Sequence, residues 1–348
     1  MERYIAIDNV CAWPNLTLFP NGSIAAILYN RPNHGVTEGH VECWISEDNG
    51  HFWRFIGVPV PHNPHENRIN VAVGMSDAGD YIVICSGIVD RAPYVHLANP
   101  APIKGSQNVP TVICRSTDGG HSWIQDGTVE VPEGFSGIIP YGDIISNSEG
   151  ILGASLYASC KDSNREGKRL HCNYFYRSYD QGKSWVEPTA IVPAEMAERL
   201  RSNETALLSL GGQRVLAAAR TSDDQHIELF LSEDFGSTWT AKGQATLTGQ
   251  IPAHLLRLQD GRILLTYGMR NVGCSGICAR ISSDDGMSWS RPVLIVDFLN
   301  RVDGGYPSSV QLEDGTLITA YYAKNVPHHN RYHMGVLRWK IEEFHFEI

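Results

Sequence analysis

Ser-Ser-Asp-Asp-Gly-Met-Ser-Trp, residues 282–289, is the stretch from which the fold is read. The same phrase, Ser-x-Asp-x-Gly-x-x-Trp, recurs at residues 46–53, 116–123, 178–185 and 232–239. One copy carries little information. Five copies take up five of the chain's eight tryptophans and mark a repeated unit. Each follows a β-rich run, as at residues 41–45, 111–115 and 277–281. An Asp in this setting bonds its own backbone two residues on, and the Gly takes a positive φ, so the phrase predicts a tight turn between two strands. The Trp then opens the next strand with a large apolar face. A supersecondary unit returning every 50 to 70 residues points to a solenoid or a propeller.

A second repeat runs in phase with the first. Six glycine turns, Pro20-Asn21-Gly22, Asp77-Ala78-Gly79, Ser148-Glu149-Gly150, Leu210-Gly211-Gly212, Gln259-Asp260-Gly261 and Glu313-Asp314-Gly315, each precede an apolar run and read as hairpins. The first five hairpins are each followed by one Trp phrase. The sixth is followed by a strand at residues 333–341 and then the C-terminus. Each unit is therefore an inner hairpin followed by an outer one. Six units in 348 residues predict an all-β, six-bladed propeller of four-stranded blades, as one domain over residues 1–348. The last blade lacks its own second turn, so residues 3–7 or 344–348 are expected to supply its missing strand. Only residues 194–200 read as helix.

Composition narrows the function. Gly (33) and Pro (18) are plentiful and charged residues few, which suits a turn-rich β protein. A net charge of −10 without a basic stripe argues against nucleic-acid binding. It leaves room for an anionic small molecule held by a local group of arginines. No apolar run approaches the roughly 20 residues of a membrane span. Residues 1–13 lack the charged-then-apolar pattern of a leader, so the expected location is cytoplasmic. Cys43, Cys85 and Cys114 fall in strand-like runs as buried free thiols. Cys274-x-x-x-Cys278 is a poor zinc spacing, and His62-x-x-His65-Glu66 and His328-His329 lack a third ligand of compelling spacing, so no metal and no cofactor are expected.

In a propeller blade the first strand begins, and the second ends, on one rim near the axis, where ligands bind. Counting back from each hairpin glycine gives Trp13, Arg68, Tyr141, Glu204, Pro252 with His254, and Tyr306. Counting forward gives Arg31, Gly87, Tyr157, Arg220, Arg270 and Tyr322. Four arginines, a glutamate and several tyrosines delivered by separate blades mark a site rather than a structural mouth.

These residues and phrases resemble the sialidase superfamily over nearly the whole chain, the turn phrase being that family's Asp box. Sialidases place a Glu at the start of the fourth inner strand and an Arg at the end of the next, and Asn203-Glu204-Thr205 and Ala219-Arg220-Thr221 match. Tyr267-Gly268-Met269-Arg270 matches a further Arg. Asp303-Gly304-Gly305-Tyr306 matches the segment of the nucleophilic Tyr. The resemblance implies that Tyr306 attacks the anomeric carbon, that Glu204 takes its proton, and that Arg220 and Arg270 clamp the substrate carboxylate. A phenol with pKa about 10 needs such a neighbour near neutral pH, and Tyr is a recognised exception to the usual carboxylate nucleophile.

Two departures stand out. Trp13-Pro14 replaces the family's Arg-Ile-Pro, leaving Arg68 to complete the clamp, with Arg31 a further substrate-binding residue of the rim. The loop that carries the family's acid/base Asp holds none here, leaving His34, Glu38 or His40 as proton donor. Tyr141, Tyr157, His254 and Asp303 complete the expected pocket. The expected partner is an oligosaccharide or glycoconjugate ending in an acidic sugar, with sialic, other ulosonic and uronic acids all open. A polysaccharide lyase or rhamnosidase-like enzyme using His or Tyr on uronic-acid glycans, and a non-catalytic carbohydrate-binding propeller, are the alternatives. Nothing in the sequence bears on oligomeric state.

Overall fold

The five Trp phrases fold alike in the computed structural model, which describes residues 1–35, 37–88, 108–135, 137–161, 169–222, 225–299, 303–327 and 329–347. In the first, the Ser46 hydroxyl donates to Asp48 Oδ1 at 2.8 Å and accepts the Gly50 N–H at 2.8 Å. Asp48 Oδ1 also accepts the Phe52 N–H at 2.9 Å, and Trp53 Nε1 donates to the Gly50 carbonyl at 3.2 Å. The other four phrases repeat these bonds. The Asp thus reaches the N–H four residues on, where the residue pattern predicted two. Two successive left-handed residues, Asn49 (φ 60°) and Gly50 (φ 85°), curl the chain back over the carboxylate.

The architecture is all-β and propeller-like, apart from the helix Ala194–Leu200, where the sequence placed one, and a short 3₁₀ turn at Ile341–Glu343. Four repeats form separate four-stranded sheets. The remaining two do not, and here the expectation of six separate blades is corrected. The inner strands Asn70–Met75 and Ile139–Ser146 pair in parallel at Ala72–Gly142 and Val73–Asp143, joining their repeats into one nine-stranded sheet. Gly74 makes the approach possible: a Cβ there would lie 2.6 Å from the Ile144 carbonyl oxygen.

The missing strand comes from the N-terminus. Glu2–Asp8 pairs antiparallel with His333–Trp339, completing the sheet that also holds Leu317–Ala323 and Gly304–Gln311. The core follows the ring. Leu16, Ile24 and Trp53 pack with Val310, Ile318 and Met334, so the first repeat meets the last. Five further clusters lie between consecutive repeats. Each phrase Trp enters the cluster with the preceding repeat, and Trp339 takes the equivalent place for the sixth, which has no phrase. Cys43, Cys85 and Cys114 are free and buried, and burial pushes the Cys43 and Cys114 thiols up to about 12. Among the described residues no helix is long and apolar enough to cross a membrane.

The turn carboxylates link stability to pH. Bonds from the Ser122 hydroxyl and N–H, with Ser116 and the His121 N–H, hold Asp118 down to about 2, and Asp48, Asp180, Asp234 and Asp284 are also depressed. A depressed carboxyl stabilises the fold above its unfolded pKa of about 3.9 and loses that contribution as pH falls through its folded value. Asp118→Asn should therefore be less stable than wild type at pH 7, with the gap closing between about pH 4 and pH 2. Urea denaturation across that range checks this, and a gap independent of pH contradicts it.

Candidate active site

The rim positions meet as the blade geometry predicts. Glu204 directly precedes the strand Thr205–Gly211, and Arg220 ends the neighbouring strand Arg214–Arg220. Their backbones are bonded, Arg220 N–H to Glu204 O at 2.9 Å, so register alone sets the two side chains abreast. Tyr306 lies near the start of Gly304–Gln311, in the last sheet. Its hydroxyl donates to Glu204 Oε1 at 2.6 Å. Arg220 Nη1 bridges the pair, 2.5 Å from Glu204 Oε2 and 3.1 Å from the Tyr306 oxygen. Arg270, near the end of Ile263–Asn271, lies over the Tyr306 ring at 5.7 Å. Among the described residues no carboxylate pairs with it, so its guanidinium is open to an anionic ligand.

The backbone is strained where these residues meet. Tyr306 has φ 53° and Trp13 φ 37°, conformations that cost non-glycine residues energy and that concentrate at functional sites. Gly305, with φ 131°, lies against Arg270 and Gly268, in a region that essentially only glycine occupies.

The electrostatics assign a protonation state. Burial, then the negative charge of Glu204, raise the Tyr306 pKa well above that of a free phenol, against the pull of Arg220 and Arg270. At neutral pH Tyr306 is a neutral phenol that donates to a carboxylate. Burial opposes the charge on Arg220, but Glu204 and Tyr306 outweigh it and keep the guanidinium charged. The arrangement can pass a proton from Tyr306 to Glu204 Oε1 as the phenol oxygen forms a bond, with Arg220 on the Tyr306 oxygen and on Glu204 Oε2.

A second group adjoins the first. His34 Nε2 lies 2.5 Å from Asp303 Oδ2, and the Tyr322 hydroxyl donates to Asp303 Oδ1 at 2.8 Å. Tyr332 also donates to Asp303. Burial works against the Asp303 charge, but these bonds prevail and hold its carboxyl well below the usual carboxylate range. Trp13 joins the two groups, 5.3 Å from the His34 ring and 6.2 Å from that of Tyr306. Tyr141 meets Tyr306 edge-on at 6.3 Å and donates to the Ala253 carbonyl at 3.0 Å. Tyr157 is buried within the field of Glu204, Tyr306 and Arg220.

Most other expected site residues go elsewhere, but His254 does not. Arg68 is buried and donates to the Pro110 carbonyl at 2.7 Å, and Arg31 donates to the Glu38 carbonyl at 3.0 Å, so neither joins Arg220 and Arg270. His40 stacks on His62, Nδ1 to Nδ1 at 3.1 Å. Glu38 accepts the His65 N–H at 2.7 Å. His254 pairs with Asp143 at 3.1 Å and lines an axial cavity beside Asn15, Tyr141 and Tyr306. Among the described residues no three His, Cys, Asp or Glu side chains converge as a metal site; His328 of the His328-His329 pair lies outside them. Sequence reasoning missed Tyr332, which lies in the loop after the sixth hairpin, where neither repeat offers a signal.

The model of the BNR repeat-like domain matches residues 94–336. No curated protein matches the sequence. Among solved structures, a Dyadobacter fermentans protein of unknown function superposes with a TM-score of 0.79 at 22% identity, covering 97% of each chain. The NanB sialidase of Streptococcus pneumoniae, as its K499G mutant, superposes with a TM-score of 0.71 at 14% identity, over 98% of this chain and 69% of that one. The intramolecular trans-sialidase of Ruminococcus gnavus, in complex with oseltamivir carboxylate, gives 0.66 at 15% identity, over 98% and 95%.

The two arginines should differ in what they hold. Arg220→Met strands the Glu204 carboxylate in a largely buried place and is expected to cost about 3–5 kcal/mol. Arg270→Met removes only a cation–π contact, about 1 kcal/mol or less. Urea denaturation of both variants checks the difference, and equal losses contradict it.

Proposed function

The chain belongs to the BNR repeat-like domain family, and from that premise we propose that it is a sialidase-like, exo-acting glycoside hydrolase. Its substrate is a glycan or glycoconjugate ending in an acidic sugar, sialic acid or a related ulosonic or uronic acid. The observation that carries this reading is the 2.6 Å bond from the Tyr306 hydroxyl to Glu204 Oε1, with Arg220 on the Tyr306 oxygen and on Glu204 Oε2, and Arg270 over the ring.

The chemistry follows from the charges. The carboxylate of an acidic sugar docks on the open guanidinium of Arg270 and on Arg220. A carboxylate nucleophile would be repelled by that group, whereas Tyr306 attacks as a phenol and sheds its proton to Glu204 only as its oxygen bonds to the anomeric carbon. Water then displaces the tyrosine from the opposite face, the side the leaving group vacated, and the product keeps the configuration of the substrate. Trp13, where sialidases have a third arginine, makes this a two-arginine clamp with an aromatic wall. That several solved neighbours are named sialidases supports a carbohydrate substrate.

Turnover of fluorogenic glycosides of sialic, other ulosonic and uronic acids, by wild type and Tyr306→Phe, tests the proposal. Wild type should release one of these sugars, and Tyr306→Phe should lose at least about 10²-fold in kcat. Equal release by both proteins removes Tyr306 as nucleophile. An ultraviolet-absorbing unsaturated product would show elimination in place of hydrolysis.

A further inference from the structure

The proposed reaction needs a proton for the departing sugar oxygen, and neither Tyr306 nor Glu204 supplies it, since they exchange their proton with each other. Three residues of the loop after the first inner hairpin carry suitable groups, and the structure separates them. Glu38 is engaged by the His65 N–H, and His40 is held between Asn30, Glu42 and His62. His34 alone touches the aromatic wall of the site. It meets Trp13 at 5.3 Å and Tyr322 at 5.9 Å, and the same two rings meet Tyr306 at 6.2 and 5.8 Å. His34 and Tyr306 thus share two ring neighbours.

Asp303 is not itself an acid. Its carboxylate accepts from Tyr322, Tyr332 and His34, and an acceptor of three bonds has no proton to give. With Nε2 donating to Asp303, the other ring nitrogen of His34, Nδ1, has no partner among the described residues, and the side chain is 43% exposed. A carboxylate that fixes one imidazole nitrogen and leaves the other for chemistry is the arrangement of an oriented general acid/base.

Resting on the exo-glycosidase reading above, we infer that His34 is the catalytic acid/base of this site and that Asp303, braced by Tyr322 and Tyr332, is its positioning residue. In the first step the Nδ1 proton of the His34 imidazolium passes to the glycosidic oxygen as its bond to the anomeric carbon breaks. The Tyr306 oxygen bonds to that carbon and the phenol proton goes to Glu204. In the second step neutral His34 takes a proton from the attacking water, the Tyr306–carbon bond breaks, and Glu204 returns its proton to the phenolate.

The test is kcat/KM, which reports the first bond-breaking step, for wild type, His34→Ala, His34→Gln and Asp303→Asn. The substrates are two glycosides of the sugar that wild type turns over, one with a nitrophenol and one with an alkyl alcohol as leaving group. A nitrophenolate departs unprotonated and an alkoxide does not. Both His34 variants should lose about 10²- to 10⁴-fold on the alkyl glycoside and less than about 10-fold on the nitrophenyl one. Asp303→Asn should shift in the same direction by less, a dependence on leaving group that a merely structural role would not produce. Equal losses on both substrates, or none, overturn the role of His34 and leave Tyr306 standing. A wild type inactive on both overturns the underlying reading and this one with it.

Discussion

Closure of the ring by the N-terminal strand is the constraint on which the site depends. Glu2–Asp8 is the outer strand of the sheet whose inner strand carries Tyr306, and its pairing with His333–Trp339 fastens the start of the chain to its end. Trp13 and His34 belong to the first repeat, Asp303 and Tyr306 to the last. Their contacts exist only because these repeats are neighbours, with Trp53 packed among Val310, Ile318 and Met334. Residues nearly 300 positions apart in sequence form one pocket because a short strand removes the open edge that a sheet end otherwise presents.

Within the closed ring, burial and charge act on the same few groups. Burial raises the phenol of Tyr306 and opposes the ionised forms of Arg220 and Asp303. The site answers by pairing: Glu204 with Arg220 and Tyr306, Asp303 with His34 and two tyrosines. Arg270 is the exception, a cation stacked on an aromatic ring with no carboxylate of its own among the described residues. A stabilising surface design would have paired it. In the proposed reaction an acidic ligand pairs it instead, which is why it bears on the proposal more directly than Arg220.

Much of this was legible in the residues because repetition supplies its own coordinates. Once the glycine turns set the phase, counting to the rim found Trp13, Glu204, Arg220, Arg270 and Tyr306 without a contact being known, and the strands fell where the hairpins placed them. What counting could not supply was the direction of side chains in loops. Arg68 occupies a rim position yet turns to the Pro110 carbonyl, and His34, Glu38 and His40 share one loop yet only His34 meets the wall. Tyr332 follows no repeat at all. The joining of two repeats at Ala72–Gly142 was equally hidden, since it rests on a missing side chain at Gly74 and on how closely two inner strands approach.

The central claim is that the Tyr306 oxygen bonds to the sugar. It is tested most directly by trapping that bond with a fluorinated acidic-sugar fluoride, which forms a glycosyl intermediate quickly and releases it slowly, followed by proteolysis and mass spectrometry. The account predicts that the tryptic peptide spanning residues 302–324 gains the mass of the fluorinated sugar, with fragmentation placing it on Tyr306. An adduct on any other residue, or continued turnover without an adduct, contradicts it.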